Sequence, residues 1–166
     1  MARVTYTEEE HAQWLASLPR KVMGAAVLFT EHTGPQPRVL LVEPTYKEGW
    51  DLPGGVIEAG ESPQAGAFRE THEELGVQVA PGRLLLVNYA PPRVPGGDSI
   101  NWVFEGGALD EAEIVLQDEE LRAWTWCTAE DVPRLTNPRM ARIVTAALGA
   151  HLHGGTVYAE NGLPMA

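Results

Sequence analysis

Residues 54–77 read GGVIEAGESPQAGAFRETHEELGV. Two glycines open the stretch, a turn of small residues follows, and glutamates stand at Glu58, Glu61, Glu70, Glu73 and Glu74. The second half has the marks of a helix. Ser62 is a suitable N-cap, because its hydroxyl can accept a first-turn backbone N–H. Pro63 then occupies the first helical position, where a missing N–H costs nothing. Gly76 can close the helix in the left-handed conformation.

On such a helix Phe68, Thr71 and Leu75 share one face, with Gln64 beside them. Glu70, Glu73 and Glu74 fall mostly on the opposite face, at spacings that make side chains neighbours. Three carboxylates that close repel one another and raise each other's pKa. Arg69 is a single cation among them. A hard divalent ion would complete the neutralisation, and Mg²⁺ suits a few carboxylates combined with substrate phosphates. The plain alternative is a solvated acidic face paired here and there with arginine.

The spacing separates the two readings. Gly55, Glu61, Arg69, Glu70, Glu73, Glu74, Gly76 and Val77 stand at the fixed positions of the Nudix box, which this stretch resembles. Thr71 departs from the pattern, since the family prefers a larger apolar side chain there. Thr has about the volume of Val, so the departure concerns packing rather than chemistry.

Composition is compatible with this resemblance. The chain has 166 residues, 44% hydrophobic and 21% charged, as expected for one globular domain with a sizeable core. The net charge of −11 argues against nucleic-acid or anionic-membrane partners. It leaves an anionic small substrate open, because a metal and local arginines can reverse the field in one cleft. No apolar run has the length of a bilayer span, and MARVTYTEEEHAQ lacks a signal-peptide pattern. The one cysteine, Cys127, excludes an internal disulfide and points to a buried thiol in a reducing cytoplasm.

Read in order, residues 7–17 predict a short helix capped by Thr7 and packed on the domain edge through His11, Trp14 and Leu15. Residues 21–31 and 38–44 read as two strands of a hairpin. Residues 77–79 and 83–89 read as strand around a Pro81-Gly82 turn. Residues 90–98, APPRVPGGD, read as a rigid loop suited to substrate selection, with Arg93 as a contact; a plain connection is the alternative. Residues 99–109 read as a strand with a bulge at Gly106-Gly107, and 121–128 as another strand. A short helix is expected from 129, and a longer one over 137–151 with Asn137 as N-cap. The tail, 154–166, reads as too polar and broken for a helix.

Mixed elements in this order predict an α/β fold with a central mixed sheet and helices on both faces. The Nudix resemblance implies the same α/β/α sandwich, formed by a single domain over the whole chain. It also implies Mg²⁺-dependent hydrolysis of a diphosphate in a nucleoside diphosphate derivative, with Mn²⁺ as an alternative ion. Such an ion lowers the pKa of an attacking water and grips phosphate oxygens. Matched position by position, Glu70, Glu73 and Glu74 would hold metal, with the carbonyl of Gly54 as a further ligand. Glu70 is ligand or base, Arg69 orients it, and Glu61 pairs with Arg69 or holds metal through water. Glu120, before a late strand, matches a further catalytic acid, with Glu119 as the alternative. Trp50 is either a base-stacking residue or ordinary core. Pro92, fifteen residues beyond Val77, is placed as in ADP-ribose pyrophosphatases of the family. Partners are confined to a small nucleotide substrate, with a homodimer left open. Two other readings stand beside this one. One is a non-catalytic binding module on the same fold. The other is a transition-metal protein using His72, His151 and His153.

Overall fold

The computed structural model describes residues 6–79, 82–92, 97–107 and 109–165. The chain runs α1 (Glu8–Ser17), β1 (Val22–Leu28), β2 (Thr30–Glu31), β3 (Arg38–Pro44), β4 (Gly54–Val56) and α2 (Pro63–Leu75). It continues through β5 (Leu84–Ala90), β6 (Ser99–Glu105), β7 (Leu121–Thr128), α3 (Val132–Leu135), α4 (Pro138–His153), β8 (Val157–Glu160) and β9 (Leu163–Pro164). Six strands form a mixed sheet in the order β4-β1-β6-β5-β8-β9, and β2-β3-β7 form a smaller antiparallel sheet.

Side-chain alternation explains the layers. Along β1, Ala25 and Val27 enter one core while Ala26 and Leu28 enter the other. Along β3, Leu40 and Val42 face the first and Val39 and Leu41 the second. Successive side chains of a strand point to opposite faces, so near-continuous apolar runs require cover on both. Helix α2 supplies Ala67 and Leu75 on one side; α4 supplies Ile143, Val144, Ala147 and Leu148 on the other. The protein is therefore a mixed sheet between helices, as its sequence pattern predicts.

The box helix forms as the local signals require. Ser62 accepts a hydrogen bond from the N–H of Ala65, Pro63 opens the helix, and Gly76 closes it at φ 72°. Asn137 caps α4 through the N–H groups of Arg139 and Met140.

Four expectations need correction, and the tail, which is not a helix, takes a definite form. The strand over 21–31 divides at Phe29: β1 pairs with β4 and β6, and only the two-residue β2 makes the hairpin with β3. Phe29 is fully buried at the crossing, so the apolar run gives no sign of a change of sheet. Val77–Val79 is irregular; Val77 is nevertheless buried, and Val79 packs on the same core. β6 ends at Glu105, and the register shift falls in β5 between Leu84 and Leu86. Gly106 is pressed on the Phe29 ring, which an added Cβ would meet at 2.4 Å. Helix α1 has its Thr7–Glu10 capping box but buries no residue, and Trp14 and Leu15 remain about half exposed. The tail is a β-hairpin: β8 runs parallel to β5, and β9 returns on it. Asn88, buried in β5, accepts the N–H of Gly162 at 2.6 Å and ties the hairpin down.

Candidate active site

Strand β4 and helix α2 together build the site. Gly54 has φ 141°, and a Cβ there would lie 2.2 Å from the Ala25 carbonyl oxygen, so only glycine fits beside β1. At Gly55 a Cβ would fall 2.5 Å from the Glu70 carboxyl carbon. At Gly66 it would fall 2.8 Å from Glu61 Oε2. Two of these glycines thus make room for carboxylates.

Arg69 gathers the acids. Its Nε and Nη2 donate to the two oxygens of Glu61 at 2.9 and 3.1 Å, a forked contact. Nη1 donates to Glu73 at 2.7 Å and lies 3.0 Å from Glu70 Oε1. Nη2 also reaches the Val56 carbonyl at 3.1 Å, fixing α2 to β4. Glu61, foremost through Arg69 and also through the N–H of Glu58, is held below the usual carboxylate range. The Glu61 contact likewise holds Arg69 above its ordinary value.

The acids of α2 separate into two environments. Glu73 is half exposed and bound to Arg69. Glu74 is buried, at 6% exposure, and its Oε2 accepts the Gly54 N–H at 2.8 Å. Burial pushes its pKa up to about 8 against that hydrogen bond, with Glu70, Glu120 and Asp51 adding repulsion. Burial also raises Glu70, with Arg69 opposing and Glu73 and Glu120 adding to it. Glu73 and Glu74, which their spacing places side by side on one helix face, part here: Glu74 is buried against β4, while Glu73 faces solvent. Glu120 lies exposed in the turn before β7, and its charge reaches both Glu70 and Glu74.

A cleft of about 280 Å³ opens on the other side of Gly54 and Gly55. Its floor is β1 and β6, with Gly24, Ala26 and Asn101; α4 forms one wall through Met140 and Ile143, and Tyr46 and Lys47 stand at the loop side. β4 is thus a shared wall between the cleft and the buried acids. Lys47 forms an ion pair with Asp51. Trp50 does not line this cleft; it lines a separate recess with Trp124, Trp126 and Cys127. Arg93 lies outside the described residues, as do Pro81 and residues 93–96 of the expected selector loop. Asn101 is absent from the residues that the sequence singles out. The available signal was Gly24 inside an apolar strand, since glycine there marks a close approach.

The histidines do not form a metal site. His72 is exposed on α2, whereas His151 bonds Glu105 at 2.6 Å on the α4 side. Among the described residues no three His, Cys, Asp or Glu side chains converge to hold a metal, the α2 carboxylates included. The residues nonetheless have the oxygen-donor chemistry that a hard dication takes. Glu74 is a carboxylate buried against its ionised form, Glu70 is raised likewise, and Arg69 is already shared among Glu61, Glu70 and Glu73. Cys127 is buried and its thiol is pushed up to about 11 by burial, consistent with an inert structural role.

The NUDIX domain family model matches residues 19–147 of this chain. The chain belongs to the Nudix hydrolase family. This Nudix hydrolase is similar to an RNA pyrophosphohydrolase of Brucella ovis, 29% identical over 125 residues that cover 63% of this chain and 68% of that protein. Among solved structures it resembles a UDP-X diphosphatase, with TM-score 0.71, 20% identity, and coverage of 93% of this chain and 76% of that one. It also resembles the NUDIX domain of Shewanella oneidensis NrtR, complexed there with ADP ribose, with TM-score 0.68, 20% identity, and coverage of 88% and 99%. At such identities the structures support the fold alone. Among the described residues no helix is long and apolar enough to cross a membrane.

One small-effect variant isolates the glycine geometry. Gly66→Ala gains helix propensity, about 1 kcal/mol, but displaces the Glu61 carboxylate from Arg69. The melting temperature is expected to move by only a few degrees, while turnover falls severalfold. Unchanged turnover would show that Glu61 is not needed where it stands.

Proposed function

We propose that this Nudix hydrolase cleaves the diphosphate linkage of a nucleoside diphosphate derivative in a Mg²⁺-dependent reaction. The observation that carries this reading is the buried Glu74 carboxylate on the Gly54 N–H, beside Glu70 and across β4 from a nucleotide-sized cleft. Glu70, Glu73 and Glu74 would hold the ion. When bound there, it would lower the pKa of an attacking water and neutralise charge on the phosphoryl oxygens.

The protein's own groups do the positioning. Arg69 holds Glu61, Glu70 and Glu73 at fixed places and pins α2 to Val56. Such fixed charges need no rearrangement as the reaction proceeds. Glu70, raised by burial and lying against Gly55, would serve either as ligand or as the base that accepts a proton from water, with Glu120 as the alternative base. The cleft orients the nucleoside, and Tyr46 and Lys47 at its rim meet the other end of the substrate. The ADP ribose bound by the NrtR domain and the placement of Pro92 favour ADP-ribose as the first substrate to test.

The experiment is a panel of nucleoside diphosphate sugars, nucleoside triphosphates and capped RNA ends, with Mg²⁺ or EDTA. Cleavage of a diphosphate sugar into two phosphomonoesters, abolished by EDTA, is the expected result. A folded chain that binds nucleotides but turns over none of the panel supports the non-catalytic module instead.

A further inference from the structure

We infer that Asn101 reads the nucleobase, accepting a hydrogen bond from an adenine amino group at the inner end of the cleft. This rests on the nucleotide reading above and names the base that the same cleft takes.

The placement follows from the ladder. Val103 joins the α4-side core and Trp102 the α2-side core, so alternation turns Asn101 toward α4 and the cleft. Gly24 is its parallel partner on β1. A Cβ at Gly24 would come 3.1 Å from Asn101 Oδ1, so the missing side chain leaves room for this amide on the cleft floor. Asn101 Nδ2 donates to Ser99 Oγ at 3.3 Å, which turns Oδ1 over Gly24. The exposed edge of the amide is therefore an acceptor. Asn137, the other lining amide, is occupied as the cap of α4.

The surroundings suit a planar heterocycle. Ala26, Val103, Met140 and Ile143 give apolar surface against which a ring can lie, and Asn101 is the polar group at its edge. Gly54 pairs with Ala26 on one side of β1, and Asn101 pairs with Gly24 on the other. Two interstrand spacings across and two residues along put them about 12 Å apart, the reach of one nucleoside. A diphosphate at Gly54 thus brings its base to Asn101. Opposite Asn101 on β5, Asn88 is fully buried, and its Nδ2 has no hydrogen-bond partner among the described residues. An adenine amine satisfies Oδ1. The carbonyl of hypoxanthine at the same ring position sets acceptor against acceptor, and an unmade buried hydrogen bond costs affinity.

Calorimetric titration with AMP and with IMP in EDTA tests this without turnover. AMP is expected to bind about ten- to a hundredfold more tightly. Asn101→Leu should bring the ratio near one by weakening AMP, and Asn101→Asp, which keeps an acceptor, should retain the preference for AMP. Melting curves confirm that each variant is folded. Equal binding of AMP and IMP by the parent, no binding of either, or a ratio unmoved by Asn101→Leu overturns the assignment. Absence of hydrolysis on the whole panel with the AMP preference intact would sink the hydrolase reading alone. Hydrolysis with a ratio indifferent to Asn101 would sink the base reading alone.

Discussion

In EDTA the protein is expected to lose stability steadily as pH rises from about 5 to about 8, and Glu74→Gln to remove most of that loss. Burial pushes Glu74 up to about 8 in the folded chain, against about 4.3 for an ordinary glutamate. In this window the folded state holds a proton that the unfolded state has released. Stability falls with pH wherever the folded state binds more protons. The contribution is fully present below the unfolded value and lost as pH passes through the folded one. Glu70 is raised too and acts in the same direction. Glu61, Asp98 and Asp131 are lowered and act in the opposite direction, but in the more acidic range below this window. A shift of this size amounts to a few kcal/mol. For a chain of this length that is a fall in melting temperature on the order of 10 °C. Saturating Mg²⁺ should flatten the curve, because a bound dication takes the place of the proton. The measurement is thermal unfolding at a series of pH values at matched ionic strength. A flat curve in EDTA, or a slope that survives Glu74→Gln, would contradict the buried-carboxylate account.

Arg69→Met should destabilise the protein by about 2–3 kcal/mol and reduce turnover at least a hundredfold. The guanidinium bonds Glu61 twice, Glu73 and the Val56 carbonyl, and touches Glu70. Removing one cation from a partly buried network leaves its carboxylates unpaired, at a cost discounted here because Arg69 is 26% exposed. Arg69→Lys should rescue little, since one ammonium cannot fork to Glu61 while reaching Glu73. Lowering the pH should narrow the stability difference between Arg69→Met and the parent by neutralising acids. Chemical denaturation at two pH values and a turnover assay check both effects. A full-strength Arg69→Lys variant would show that charge, not the forked geometry, is what the site uses.

The sequence made the box helix plain because its signals are local: Ser62, Pro63 and Gly76 each act within one turn. It could not say which of the two adjacent acids is buried. Glu73 and Glu74 differ by about 100° around the helix, and only the arrival of β4 decides that Gly54 covers the second. The split at Phe29 was hidden for a similar reason. A run buried on both faces looks the same whether it stays in one sheet or passes into another. The tail was unreadable because β8 is held by partners far away in sequence, through pairing with β5 and the Asn88–Gly162 bond, rather than by apolar pattern. The cleft was largely hidden too, since Gly24 and Asn101 meet only when β1 and β6 pair.

The central claim is that Glu74 serves a hydrolytic diphosphate site rather than the fold. The direct measurement is ADP-ribose turnover at saturating Mg²⁺ by the parent and by Glu74→Gln, with products resolved by phosphorus NMR. The account predicts AMP and ribose 5-phosphate from the parent. It predicts at least a thousandfold slower turnover in a variant that melts no lower than the parent in EDTA at pH 8. Turnover by Glu74→Gln within a few fold of the parent would contradict it.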